Sequence, residues 1–369
     1  MIVAALAAAP AGVAGQAGQA GAQATPGQAG AAGQRGQAAG QRGRGAAAPE
    51  GPLPKVYMYA TGGTISNRTG GRLTVKELLD SMPGVARIAQ ADGEQFLNVA
   101  SGQVTLQNWL DLSREINARY KADKDLAGVV VTSGTDTLEE LAYFLHLTVR
   151  DERPVVVVGS MRNPSTTGYE GVANLEDAFR VAGDPDSRGM GALVVLNDEI
   201  NSAREATKTD ARLLNTFTSR NYGVLGTVFD RVEYYRKPVK RHGAQSEFDV
   251  TQIQSLPRVD VVWTYQEAPG DIIKAIADFG AKGIVIAGAG VGATSGTQGE
   301  GIRYALDKGV YVVTTTRTGS GWSSTGGGRG GQPRIGGGDL QPVKARVLLM
   351  LALATTNDVS EVVRMFGEY

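Results

Sequence analysis

The residues best placed to do chemistry lie in two short segments. Ala60-Thr61-Gly62-Gly63-Thr64-Ile65 follows one apolar run, and Thr132-Ser133-Gly134-Thr135-Asp136-Thr137-Leu138-Glu139-Glu140 follows another. Each puts a threonine, Thr64 or Thr135, in the turn that leaves a strand, and the second adds the carboxylate of Asp136. Ligands of an open α/β sheet collect at the carboxyl ends of its strands, so these two hydroxyls are expected to face one small molecule. Taken one at a time, each threonine is equally a turn residue capping a helix, and Asp136 an N-cap of the helix expected from Leu138.

Composition narrows the chemistry. The chain has no cysteine, which removes disulfides, thiolate metal sites and a cysteine nucleophile together. Its 2 histidines, His146 and His242, are too few for a zinc hydrolase, and no His-Glu-x-x-His spacing occurs. His146 falls in an apolar helical run and His242 in a basic linker, so a Ser-His-Asp triad is hard to assemble. A hydroxyl nucleophile must then hand its proton to a lysine, a tyrosine or water. Lys+Arg and Asp+Glu balance at 37 each, which leaves no overall basic field to attract nucleic acid or an acidic membrane surface. Gly62-Gly63-Thr64 fits a nucleotide site poorly, because no Gly-x-Gly-x-x-Gly or Gly-Lys-Ser/Thr accompanies it.

The elements that must carry these residues alternate. Val-rich runs at 55–61, 128–133, 154–161 and 191–197 read as buried parallel strands, with helical patterns at 75–82 behind a Thr74 N-cap, 106–120, 138–150 and 174–181. That alternation predicts a doubly wound, mainly parallel sheet over 55–236. The polar stretch 237–257, with Pro238, Gly243 and Pro257, reads as a linker. A smaller α/β domain follows over 258–369, with strands at 259–265, 283–287 and 310–316 and helices at 271–279, 301–308 and 343–354. Two domains plus a tail suit 369 residues of which 42% are hydrophobic and 20% charged. The glycine-rich run Arg317 to Gly338 is expected to be flexible unless a partner surface orders it.

Residues 1–54 are the tail. Met1 to Pro10 is apolar, lacks a basic start and is too short to span a bilayer. It reads either as the remaining core of an export signal, with Ala22-Gln23-Ala24 as a small-x-small cleavage site, or as an Ala-rich disordered end. The Ala, Gly and Gln of 12–48 bury too little apolar surface to offset ordering them. Export would place the protein in the periplasm or outside the cell; a cysteine-free chain tolerates that and the cytoplasm alike.

Together the two threonine segments resemble those of the bacterial-type L-asparaginases. The match continues at Pro154 to Arg162, at Thr207-Lys208-Thr209, at Asn221-Tyr222-Gly223 and at Lys344 to Leu353, and it covers almost everything from Lys55 to Tyr369. The resemblance implies hydrolysis of L-asparagine to L-aspartate and ammonia with no metal or organic cofactor, in a homotetramer built as a dimer of dimers. By that likeness Thr64 is the nucleophile that forms the acyl-enzyme, Thr135, Asp136 and Lys208 form the second catalytic cluster, and Ser101 holds the substrate α-carboxylate. Asp136 would also bind the α-ammonium, so Ser101, Gly102, Thr135 and Asp136 are the expected substrate-binding set. From the residues alone Lys208 is the most economical base, since a threonine alcohol is a poor nucleophile without one and a partly desolvated lysine can lose its charge.

Three departures from the family pattern matter. The lid after the first threonine normally carries a tyrosine that contacts the nucleophile, and Ser66 to Arg72 has none. The serine at 101 is usually followed by glutamine, whereas Gly102 stands before Gln103. Many relatives lend an asparagine and a glutamate to the adjacent subunit's substrate, where this chain has Ala293 and the neutral run 323–328. Modest affinity and little activity on glutamine are therefore expected. Two rival readings remain: an asparaginase-like subunit of a tRNA-dependent amidotransferase, and a catalytically impaired asparaginase fold that only binds an amino acid.

Overall fold

The computed structural model describes residues 51–323 and 333–369. The tail expected over residues 1–54 lies outside the described residues up to residue 50, as does 324–328 of the neutral run. Eight strands form the first sheet: β1 (Lys55–Gly62), β2 (Gln90–Val99), β3 (Leu126–Thr132), β4 (Val155–Val158), β5 (Ala192–Leu196), β6 (Glu199–Ser202), β7 (Gly226–Val228) and β8 (Val232–Tyr234). Their spatial order is β8-β7-β6-β5-β4-β3-β1-β2. The five strands β1 to β5 are parallel, and β6, β7 and β8 extend the sheet antiparallel.

Side-chain alternation along the parallel strands explains the two-sided cover. Val129, Val131, Val155 and Val157 point to one core with helices α2 (Leu106–Ala122) and α3 (Leu138–Thr148); Val130, Val156 and Val158 point to the other with α1 (Val75–Asp80) and α4 (Gly171–Gly183). Because α1 carries the chain from β1 out to β2 and α2 brings it back to β3 on the other side of β1, the connection reverses between β1 and β3. That reversal is the topological switch point of the sheet, and the two threonine segments begin at the carboxyl ends of those two strands.

Sequence patterning located β1, β3, β4, β5 and the four helices within a few residues. Thr74 closes a capping box with Glu77, as its position before α1 suggested. It missed β2, whose Gln90-Ala-Asp-Gly-Glu-Gln sequence is that of a partly exposed edge strand, and the short β6, β7 and β8. The turn between β5 and β6 is a two-residue reversal in which Asn197 (φ 54°) and Asp198 (φ 64°) take left-handed conformations that these residue types tolerate.

A second sheet of four parallel strands follows, in the order β9 (Val259–Trp263), β10 (Gly283–Gly288), β11 (Tyr311–Thr316), β12 (Arg334–Gly336). Helices α5 (Asp271–Asp278) and α6 (Gln298–Asp307) cover one face, and α7 (Pro342–Thr355) covers the other. The glycine-rich stretch, expected to be flexible, ends in a strand, β12, because Arg334–Gly336 pairs with Val312–Thr314 of β11. A last helix, α8 (Val359–Glu368), was also unexpected; it packs beside α7, with Val362, Met365 and Phe366 buried. The 237–257 segment is not a loose connector: Phe248, Val250 and Ile253 are buried in the same core as α2 and α3. That core runs on without a break into the α7 face of the second sheet.

One buried acid makes the fold's stability depend on pH. Burial on α4, and then the nearby charge of Asp198, push the Asp177 carboxyl up from 3.8 to about 7. The folded chain holds this proton up to about pH 7, and the unfolded chain releases it near 4. The contribution is therefore full below about pH 4 and is lost as pH rises through about 7. Asp177→Asn is expected to gain stability over the parent by on the order of 2 kcal/mol at pH 8 and by little at pH 4. Urea melts of both proteins across that range check this, and a constant difference would refute it.

Candidate active site

The site is built where β1 and β3 end. Thr61 Oγ1 donates to the Thr132 carbonyl at 2.6 Å, and the Thr61 amide donates to Thr132 Oγ1 at 3.1 Å, so the two strand ends are locked together by a reciprocal pair. Beyond it the chain turns on Gly62 (φ 103°) and Gly63 (φ 82°). A β-carbon at 62 would lie 2.4 Å from the Val99 carbonyl oxygen, and one at 63 would lie 2.3 Å from the Gly134 amide nitrogen. Only glycine fits either place. The close approach of Gly63 to Gly134 brings together the residues that follow them, Thr64 and Thr135.

Thr64 opens a single 3₁₀ turn, Thr64–Ser66, and is half-buried. Thr135 is buried and does not cap α3, whose N-cap is Thr137 without a side-chain bond. Asp136 is not the cap either. Its Oδ1 accepts from Lys208 Nζ at 2.7 Å, and the same Nζ donates to Thr135 Oγ1 at 3.0 Å. Lys208 reaches over from a two-residue ladder, Thr207–Lys208 paired with Phe217–Thr218. Its side chain is 15% exposed and that of Asp136 81%. Ser101, in the turn after β2, is buried against Gly134; a β-carbon there would stand 2.7 Å from that of Ser101. Gly102 is exposed, and a β-carbon on it would meet nothing within 4 Å, so no steric demand explains glycine at this position.

Thr64, Thr135, Asp136, Lys208 and Ser101 are thus gathered at the switch point. A cleft beside them is lined by Asp136, Glu139, Lys208, Thr209, Asp210 and Ala211. Chemically the arrangement offers two hydroxyls, an amine within hydrogen-bond reach of one of them, and an exposed carboxylate beside the cleft. No three His, Asp or Glu side chains among the described residues converge closely enough to hold a metal ion. The histidines lie elsewhere: the buried His146 stacks on His242 at 4.6 Å, with His146 Nδ1 against the Ala192 backbone and both ring nitrogens of His242 against the carbonyls of Lys240 and Gly189.

Several supporting residues escaped the sequence reading. Glu139 is buried, and its Oε1 accepts from the Lys208 amide at 3.4 Å. Lys344 on α7 is fully buried; its Nζ donates to the carbonyls of Ala203 and Arg204 at 2.9 Å each and to that of Ala206, fixing the turn that leads into Lys208. A lone lysine inside the apolar run Val343 to Leu353 was the available signal. Arg72 Nη1 donates to the Gly63 carbonyl at 3.2 Å, and Tyr169 Oη donates to that of Ile65 at 2.7 Å. Nothing in the polar run around Tyr169 marked it.

Comparison with known proteins gives a consistent picture. A family model described as asparaginase, N-terminal, matches residues 55–240, and one described as glutaminase/asparaginase C-terminal domain matches residues 258–366. L-asparaginase 2 of Bacillus subtilis is 40% identical over 334 residues, covering 88% of this chain and 89% of the relative. A probable periplasmic L-asparaginase of Haemophilus influenzae is 36% identical, covering 86% and 93%. A glutaminase-asparaginase of Pseudomonas fluorescens is 37% identical, covering 86% and 91%.

Two substitutions test the frame. Gly63→Ala forces the turn off Gly134 and is expected to lower kcat by about 100-fold or more, the scale of an ångström's misplacement of a reacting group; steady-state kinetics read it. Lys344→Met leaves three buried carbonyls without their donor and is expected to cost on the order of 3 kcal/mol in denaturant melts.

Proposed function

This chain belongs to the asparaginase family, and from that premise we propose that it hydrolyses L-asparagine to L-aspartate and ammonia through a threonine acyl-enzyme. The observation that carries the reading is Lys208 Nζ held 3.0 Å from Thr135 Oγ1 and 2.7 Å from Asp136 Oδ1, on strand ends that also present Thr64. The substrate's α-ammonium docks on Asp136 and its α-carboxylate on Ser101. This leaves the side-chain amide over Thr64.

Thr64 Oγ then attacks the amide carbon. Its proton passes to the Thr135–Lys208 pair and on to the departing nitrogen, which leaves as ammonia. An ester between Thr64 and the aspartyl carbonyl remains. Water attacks that ester, the same pair handles its proton, and aspartate leaves with the Thr64 hydroxyl restored. Backbone amides of the turns that follow Gly63 and Gly134 supply the donors for the developing oxyanion in this reading.

We also read the protein as an exported homotetramer. Trp263, Tyr265, Val291 and Trp322 are exposed around the carboxyl ends of β9, β10 and β11, which favours burial of that edge between subunits. Export rests on the apolar first ten residues together with the H. influenzae relative named as periplasmic. No described helix is long and apolar enough to cross a membrane.

Ammonia release by the full chain from L-asparagine and L-glutamine tests the reading. Asparagine is expected to be turned over much faster than glutamine, and Thr64→Ala to lower kcat by about 1000-fold or more. Asparagine binding without ammonia release would favour an amino-acid-binding protein instead. Comparable rates on the two amides would overturn the substrate preference.

A further inference from the structure

The two carbonyls that bracket Thr64 are held by side chains from separate parts of the chain. Gly63 O, immediately before Thr64, accepts from three donors: the Ser66 amide at 3.3 Å, Ser66 Oγ at 3.2 Å and Arg72 Nη1 at 3.2 Å. Ile65 O, immediately after it, accepts from Tyr169 Oη at 2.7 Å. Arg72 closes the hairpin in which Asn67–Arg68 pairs with Gly71–Arg72, and Tyr169 comes from the loop before α4. Both carriers are themselves tied down. The Leu73 amide bonds Ser66 O at 2.7 Å, Arg68 pairs with Glu77 at 2.7 Å, and the Thr69 amide bonds Ser165 Oγ at 2.9 Å, joining the hairpin to the Tyr169 loop.

A 3₁₀ turn of three residues has too few internal bonds to fix its own geometry. Gly63 fixes where the turn starts, through its amide bond to Val99 O at 2.9 Å and its close approach to Gly134, but has no side chain to orient the peptide that follows. Thr64 therefore stands on a backbone that does little to determine its own geometry, and outside donors add the precision. We propose that Arg72 and Tyr169 are positioning residues that clamp the peptides on either side of Thr64 and so hold its hydroxyl on line for attack. The inference rests on the reading of Thr64 as nucleophile.

Two further features suit them to the task. Arg72 has no carboxylate partner among the described residues, so its guanidinium is committed to the Gly63 carbonyl. A charged donor makes the stronger bond of its kind. Burial, and then the charge of Glu170, push the Tyr169 phenol above its ordinary range, which keeps it a donor throughout the working pH range. Its ring packs against the core formed by α1 and α4, so the hydroxyl is delivered from a supported base.

Steady-state ammonia release from L-asparagine by the full chain, with thermal unfolding alongside, tests the clamp. The variants are Tyr169→Phe, Arg72→Gln, Arg72→Lys and Thr64→Ala. Tyr169→Phe and Arg72→Gln should each lower kcat by about tenfold, what one such hydrogen bond is worth, with KM within about twofold and the unfolding midpoint within about 2 °C of the parent. Arg72→Lys, which keeps a charged donor, should recover part of the loss. If Thr64→Ala is inactive but both Tyr169→Phe and Arg72→Gln keep kcat within about twofold, the clamp is refuted and the nucleophile reading stands. A loss of kcat that only tracks a fallen midpoint would assign these bonds to the fold and refute it as well. Turnover by Thr64→Ala would sink both readings at once.

Discussion

The close approach of two backbones, at Gly63 and Gly134, is the constraint on which the site depends. The distance left for a β-carbon there, 2.3 Å, is far inside any van der Waals contact, so neither turn can move apart without losing the arrangement or accept a side chain without being pushed apart. The Thr61–Thr132 bonds register the strand ends one step earlier, and the switch-point topology puts those ends side by side. Thr64 and Thr135 become neighbours as a consequence of sheet order, not of any attraction between their hydroxyls.

Lys208 stands on a two-residue ladder that has almost no stability of its own, so its position must come from behind. The residues just ahead of it are gripped by the second α/β unit. Lys344 gathers the carbonyls of Ala203, Arg204 and Ala206, and Arg204 makes a two-point pair with Asp339 at 2.8 Å. Burial pushes the Asp339 carboxyl up, but the bonds and charge of Arg204 outweigh it and hold that acid below its ordinary range. Tyr222 closes the cluster with a 2.9 Å bond to Asp339. The smaller unit is thus a structural support of Lys208 in its own chain, in keeping with the uninterrupted core joining α3 to α7.

Sequence reveals what is periodic and what is sterically exclusive, and hides what depends on a distant partner. The Val-rich strands and the capped α1 were legible because their pattern is local. The edge strand β2 was not, since its polar sequence becomes a strand only by pairing with β1. Within the site, the grouping of Thr64, Thr135, Asp136 and Lys208 was legible through motif order, and the glycines through the chemistry of close approach. Arg72, Tyr169 and Glu139 carry no such mark: an arginine in a short hairpin, a tyrosine in a polar loop and an acid in the first turn of a helix are commonplace until tertiary folding aims them at the Thr64 turn and the lysine. The capping role open to Asp136 in the sequence was decided by Lys208, 72 residues away.

Two ion pairs in this molecule have opposite characters, and the contrast separates frame from site. Arg204 and Asp339 are 5% and 4% exposed, so removing either partner strands a buried charge, a change that typically costs about 3–5 kcal/mol. Lys208 and Asp136 are 15% and 81% exposed, and a pair with one partner in water contributes no more than about 1 kcal/mol. The second pair is therefore nearly worthless as a stabiliser. Its exposed carboxylate can meet an incoming cation at little cost to the fold, while the lysine keeps its bond to Thr135. The chain buries the pair that its frame depends on and leaves the exchangeable carboxylate exposed beside the cleft.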